Sequence, residues 1–315
     1  METRMTSSAD KYSVLLERCS SLAPVPTAVA HPCDVSSLTG ALDAASLGLI
    51  VPLLVGPEAR IRALADEAKL SLAGVTIIDA PHSHAAAARA VLAVRSGEAE
   101  LLMKGSLHSD ELLHEVAQAA TGLRTERRLS HVFAMDVPSY YKPLFITDAA
   151  VNIFPKLADK ADIVRNAIEL VQALGIAVPK VAILAAVETV SDKMPSTIDA
   201  AALCKMAERG QITGGVLDGP LAFDNAISKE AARIKGIVSE VAGDPDILLV
   251  PDLEAGNMLA KQLTFLAGAG AAGIVLGARV PIILTSRADT VRSRIGSCAI
   301  AVLVAHARRK SMEQL

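Results

Sequence analysis

"TAVAHPCDVSSLTGALDAASLGLIVPLLVG", residues 27–56, sets the architecture. A short apolar run (27–31) gives way to an amphipathic stretch (34–47), and a second apolar run (50–56) follows. The runs read as buried strands and the stretch between them as a helix. "HPCDVSS" places Asp34 or Ser36 where a helix N-cap belongs. Strand, helix and strand in this order make a βαβ unit with parallel strands.

The alternation continues along the chain. Further strands are predicted at 75–80, 100–105, 131–137, 143–149, 181–188, 214–220, 246–252, 273–278 and 281–286. Helices are predicted at 57–69, 83–96, 109–120, 158–174, 197–209, 227–236, 255–267 and 289–310, the last ending in "ARRK", cations suited to a helix C-terminus. The expected fold class is therefore α/β with largely parallel sheets. At 315 residues, two domains are expected on a prior of ~150 residues per domain. Only "PSYY" and Lys142 separate 131–137 from 143–149, so that link is a hairpin or a crossing between sheets. The expected division is a discontinuous first domain, 1–142 plus 287–315, and a second domain, 143–286, with a cleft between them. There is no internal repeat.

Composition narrows the function classes. Apolar residues make up 51% of the chain, with no Trp and few other aromatics, so the core is built from small aliphatic side chains. A net charge of −3 gives no reason to expect nucleic acid or an anionic membrane as partner. Cys19, Cys33, Cys204 and Cys298 are widely spaced and form no C-x-x-C pair, which suits buried thiols in a reducing compartment. The segment 263–286 is nearly uncharged and long enough to raise a membrane span. Arg279, Pro281 and clustered glycines divide it into a helix end and two strands. The N-terminus lacks the apolar stretch of a signal peptide. A soluble cytoplasmic protein is expected.

In open α/β sheets, ligands bind beyond the carboxyl ends of the strands. The stretches there are "HPCD", "KGSLHSD", "TDAAVN", "ETVSDKMPST", "DGPLAFDNA", "PDLEAGN" and "TSRAD". Each alone reads equally as helix capping; their concentration on strand ends favours a ligand site. Lys104 directly follows an apolar run and is either snorkelling or aimed at an anion. Arg124, Arg127, Arg128 and Ser130 precede a strand, either as solvated surface or as phosphate contacts. "GAGAAG" (268–273) lies after a helix and before a strand, the wrong order for a dinucleotide cradle. His108 and His131 lack a carboxylate at metal spacing. The junction "PIILTSRADTV" (281–291) fits two readings. Ser286-x-x-Asp289 matches a capping box. Alternatively Ser286, Arg287 and the free N–H groups of a helix start bind a dianion.

Several long stretches carry a family resemblance: "LLMKGSLHSDELL", "LRTERRLSHVFAMDVP", "FITDAAVNIFP", "GGVLDGPLAFDNA" and "PDLEAGNMLAKQLTFLAGAGAAGIVLGARVPIILTSRAD". In order and register, over roughly 25–310, they resemble the phosphate acetyltransferase and phosphate butyryltransferase family. They are most similar to the acyltransferase portion that some bacteria fuse to an enoyl-CoA hydratase. No hydratase module is visible.

The resemblance implies two α/β domains like those of isocitrate and isopropylmalate dehydrogenase, a homodimer, and interconversion of acyl-CoA plus phosphate with acyl phosphate plus CoA. It implies no metal in the chemical step and no bound cofactor, coenzyme A being a substrate. It assigns Ser286 and Arg287 as catalytic. Asp289 joins them as the acid of the "SRAD" form, because Ser293 occupies the place where acetyl-type members carry an aspartate proposed as base. Lys104, Arg128, Ser130, Asp218 and Asn225 are the further substrate contacts it suggests. The competing readings are a butyryl-type enzyme, an NAD(P)-dependent oxidoreductase on the related fold, and a non-catalytic CoA or acyl-phosphate binder.

Overall fold

The computed structural model describes residues 11–285 and 289–313. The elements, in chain order, are α1 (Lys11–Cys19), β1 (Val25–Ala30), α2 (Val35–Ser46), β2 (Ile50–Gly56), α3 (Glu58–Glu67), β3 (Thr76–Asp79), α4 (Ser83–Arg95), β4 (Leu101–Lys104), α5 (Ser109–Ala117), β5 (Ser130–Asp136), β6 (Leu144–Thr147), α6 (Leu157–Ala173), β7 (Lys180–Leu184), α7 (Pro195–Glu208), β8 (Val216–Leu221), α8 (Phe223–Ile227), α9 (Lys229–Ile234), β9 (Ile247–Leu249), α10 (Leu253–Leu266), β10 (Gly270–Leu276), β11 (Ile282–Ile283) and α11 (Val291–Glu313). Every predicted strand is present, and the fold is α/β as expected. Two differences concern helices. α1 was not foreseen. The helix expected at 227–236 is α9, which Ser228 caps by accepting the Ala231 N–H; α8, just before it, was not foreseen either.

The chain forms two compact units. One takes residues up to Arg18 together with Val132–Ala271; it is called the α1 unit. The other, the β1 unit, takes Cys19–His131 together with Ala272 onward. The division falls at 18/19, 131/132 and 271/272, not at the expected 142/143 and 286/287. Part of the reason is that β5 and β6 are an antiparallel hairpin, with Val132 opposite Thr147, and most of it stays in one unit.

In the β1 unit the strand order is β3-β2-β1-β4-β11-β10, parallel except for β10 against β11. Val29, Leu54, Leu102 and Ile283 are fully buried in its centre. α4 lies on β1, β2 and β4; α2 lies on β2 and against α11, which covers β4 and β11. α2 starts as its sequence predicts, with the Asp34 carboxylate accepting the Ser37 N–H at 2.7 Å. Small residues let these layers approach. Gly40 of α2 faces the Arg294 side chain of α11, and a Cβ there would stand 2.9 Å from Arg294 Cδ.

In the α1 unit the order is β5-β6-β9-β7-β8, parallel apart from β5. Met135, Leu144, Ile146, Leu184, Leu221 and Leu248 form its core. Polar contacts hold α1 onto this unit. Lys11 bridges Asp136 at 3.0 Å, the Tyr12 hydroxyl donates to the Ala134 carbonyl at 2.9 Å, and Arg18 donates to the Leu174 carbonyl. Among the described residues, no helix is long and apolar enough to cross a membrane.

Candidate active site

The parallel strands of the β1 unit end on one edge. The register sets Ala30 beside Lys104 and Met103 beside Ile283. His31, Gly105 and Thr285, which follow, therefore stand side by side. Lys104 is 5% exposed, and its ammonium donates to the carbonyls of Thr285 at 3.3 Å and Gly105 at 3.4 Å. These carbonyl dipoles offset part of the cost of burying the cation. Gly105 is needed at this point, since a Cβ would lie 2.3 Å from the Ala30 carbonyl oxygen.

Ser286 and Arg287 lie outside the described residues. Asp289 is described, is half-buried, and has an interaction partner. The capping box expected from Ser286 and Asp289 includes a residue outside the described ones. α11 begins at Val291, and the N–H of Ser293 donates to Thr290 Oγ1 at 3.1 Å. Thr290 is the cap, and Asp289 precedes the helix instead of sitting in its first turn. The Ser293 hydroxyl lies 3.1 Å from that of Thr290, so this residue serves the same cap.

Arg124 bridges to Ala278, and the Thr125 hydroxyl donates to the Gly277 carbonyl at 2.7 Å. Because β10 runs antiparallel to β11, that end of β10 lies on the edge opposite Thr285. Arg128 is exposed, while Ser130 is fully buried at the start of β5.

Within the α1 unit, Asp218 sits in β8, and its carboxylate accepts the Gly219 N–H at 2.8 Å. Asn225, in α8, is fully buried, and its amide donates to Glu188 at 3.2 Å. Lys235 bridges both Glu188 and Asp224 at 3.1 Å and holds the carboxyl of Glu188 below its ordinary range. Lys235 escaped the sequence reading, and Glu188 entered it only within "ETVSDKMPST", because the contacts join α9 to the loop after β7. In the strand-end "TDAAVN", Asp148 is occupied by its own loop: it accepts the N–H groups of Ala150, Val151 and Asn152. Among the described residues, no three His, Cys, Asp or Glu converge as metal ligands would.

Two α/β units whose parallel strands end in polar loops, one with a buried lysine, belong to the class that binds ligands at strand carboxyl edges. The family described as Phosphate acetyl/butaryl transferase matches residues 82–302. A phosphate acetyltransferase from Rhizobium meliloti is 66% identical over 309 residues, covering 98% of each chain. A phosphate butyryltransferase from Clostridium beijerinckii is 43% identical, covering 95% of this chain and 99% of its own. The crystal structure of a branched-chain phosphotransacylase from Enterococcus faecalis V583 superposes with a TM-score of 0.78 at 30% identity, covering 90% of this chain and 99% of its own. The chain belongs to the phosphate acetyl/butyryl transferase family and is an acyltransferase.

Proposed function

We propose that the protein interconverts acetyl-CoA and phosphate with acetyl phosphate and CoA by direct acyl transfer. The near full-length likeness to the Rhizobium meliloti phosphate acetyltransferase carries this reading. The buried Lys104 ammonium supports it, placed against the residue that leads into Ser286. Arg287 takes the phosphoryl oxygens in a bidentate contact. Ser286 meets the thiol sulfur or the developing oxyanion, and Asp289 is the acid nearest this pair in sequence. Lys104, Arg128 and Ser130 add to the anion site, and Asp218 and Asn225 are further substrate contacts. Holding two anionic substrates in line supplies proximity and charge stabilisation, which is most of what this transfer requires. Coenzyme A is a substrate, no resident cofactor or metal takes part, and the enzyme works as a cytoplasmic homodimer.

A butyryl preference is the second reading, supported by the Clostridium beijerinckii relative. One methylene is discriminated by only ~1–3 kcal/mol, so small changes in a pocket lining decide it. The test is thioester formation from CoA and acetyl, propionyl or butyryl phosphate. Acetyl phosphate is expected to give the highest kcat/KM. No turnover with any of the three would leave a non-catalytic binder, and NAD(P)-dependent oxidation of a hydroxy acid would favour an oxidoreductase. Arg287→Ala is expected to lower turnover about a hundredfold or more with an unchanged Tm. Unfolding of that variant would make Arg287 a packing residue.

A further inference from the structure

The edge that carries Lys104 holds a second arrangement, unused by the roles above. His31 is the first residue after β1, and its backbone has φ 53°, a left-handed conformation that non-glycine residues rarely adopt. It is held there from both neighbouring strands. The His31 N–H donates to Val55 at 2.7 Å, and the Ser106 N–H donates to the His31 carbonyl at 2.8 Å. Strain of this kind persists where the surroundings fix it, and it concentrates at functional sites.

The side chain is fixed as well. His31 Nδ1 lies 3.1 Å from Ser106 Oγ. The Ser106 hydroxyl donates to the His31 carbonyl at 2.9 Å and accepts the Cys33 N–H at 3.2 Å. With the hydroxyl proton on that carbonyl, the contact to the ring is made by a proton on Nδ1. Nε2 then carries the lone pair. Burial and the positive charge of Arg60 lower the imidazole pKa below 6.5; Glu111 and Asp34 oppose this, and His82 adds a small lowering. The ring is therefore neutral at pH 7. Adjacent strands are about 4.8 Å apart, so the His31 backbone stands about 10 Å along this edge from that of Thr285.

Thioester formation requires a proton acceptor for the CoA thiol, whose pKa lies near ~8.5. We propose that His31 is the general base of the acyl transfer, taking the thiol proton on Nε2, and that Ser106 is the positioning residue that sets its tautomer. The inference rests on the acyl-transfer reading. The sulfur electron pair forms the S–C bond, and the C–O bond to phosphate breaks with its pair going to the phosphate oxygen. The imidazolium returns the proton to that oxygen, so His31 ends neutral and phosphate leaves protonated. The reverse reaction runs through the same steps backwards.

The test is His31→Gly, since glycine adopts φ 53° without cost and keeps the fold. Turnover of acetyl phosphate and CoA is expected to fall about a hundredfold or more, with an unchanged or raised Tm. Added imidazole is expected to restore roughly tenfold of the loss, a rescue that a structural role would not give. Ser106→Ala is expected to lose less and to move the acid limb of the pH profile. A His31→Gly enzyme with wild-type turnover overturns the proposal. So does the absence of imidazole rescue, or a ¹⁵N spectrum with the ring proton on Nε2. Wild-type protein that forms no thioester sinks the acyl-transfer reading and this proposal together; wild-type turnover beside an active His31→Gly sinks this proposal alone.

Discussion

His131 shows how much a single buried ring can govern. It is 1% exposed, and burial pushes its imidazole down to about 3. The unfolded chain binds a proton there below its ordinary 6.5, while the native chain refuses it until about 3. Stability is therefore complete above pH 6.5 and drains away as the pH falls from 6.5 towards 3, at up to ~1.4 kcal/mol per pH unit. His31, shifted in the same direction, adds to the upper part of that slope. Urea midpoints at pH 7.5 and 5 are expected to differ, and His131→Gln is expected to flatten the difference. An unchanged slope in that variant would place the acid sensitivity elsewhere. Neither histidine announced itself in the sequence as more than a polar residue near a strand end. The ring of His31 meets Ser106 across 75 positions, and no local spacing encodes such a contact. Thr290, which the spacing did not single out, accepts the Ser293 N–H at the start of α11.

At the scale of elements, the strands were legible because buried parallel strands are continuous apolar runs, which few other structures produce. α1 was not, for the opposite reason. "KYSVLLERC" is short, and isolated helices under ~12 residues are marginal in water. Its stability comes from the α1 unit, through the Lys11 and Asp136 pair and through Tyr12, whose ring packs on Gly270 and whose hydroxyl meets Ala134. Tyr12→Phe is expected to cost ~1 kcal/mol by leaving a buried carbonyl short of a donor. Tyr12→Ala is expected to cost ~3–5 kcal/mol through the lost ring volume. Denaturant unfolding measures both, and equal small losses would show α1 to be a loose attachment. The polar strand ends were legible as a group, yet their individual duties were not. Asp148 and Asp34 organise their own loops, whereas Lys104 is buried against carbonyl oxygens.

For the whole molecule, the make-up of each unit follows from long-range strand pairing. Local periodicity reports that a strand exists and says nothing about its neighbours. In the β1 unit, β11 inserts between β4 and β10, so strands from the end of the chain complete a sheet begun near residue 25. A fragment spanning 19–131 therefore lacks β10, β11 and the cover of α11. It is expected to show no cooperative thermal transition by circular dichroism, and to gain one when 272–315 is supplied in trans. A sharp transition in 19–131 alone would show β4 to be a tolerable sheet edge.

That insertion also sets a clock during synthesis. β4 leaves the ribosome long before Ile282 and Ile283, the residues that pair with Leu102 and Met103. At ~5–20 residues per second, translation of the intervening α1 unit takes roughly ten to forty seconds. Through that interval the flank of β4 is an apolar strand with an unfilled ladder, the kind of edge that recruits foreign strands. The nascent chain thus stays exposed to aggregation along β4 until Ile282 and Ile283 emerge to fill its ladder.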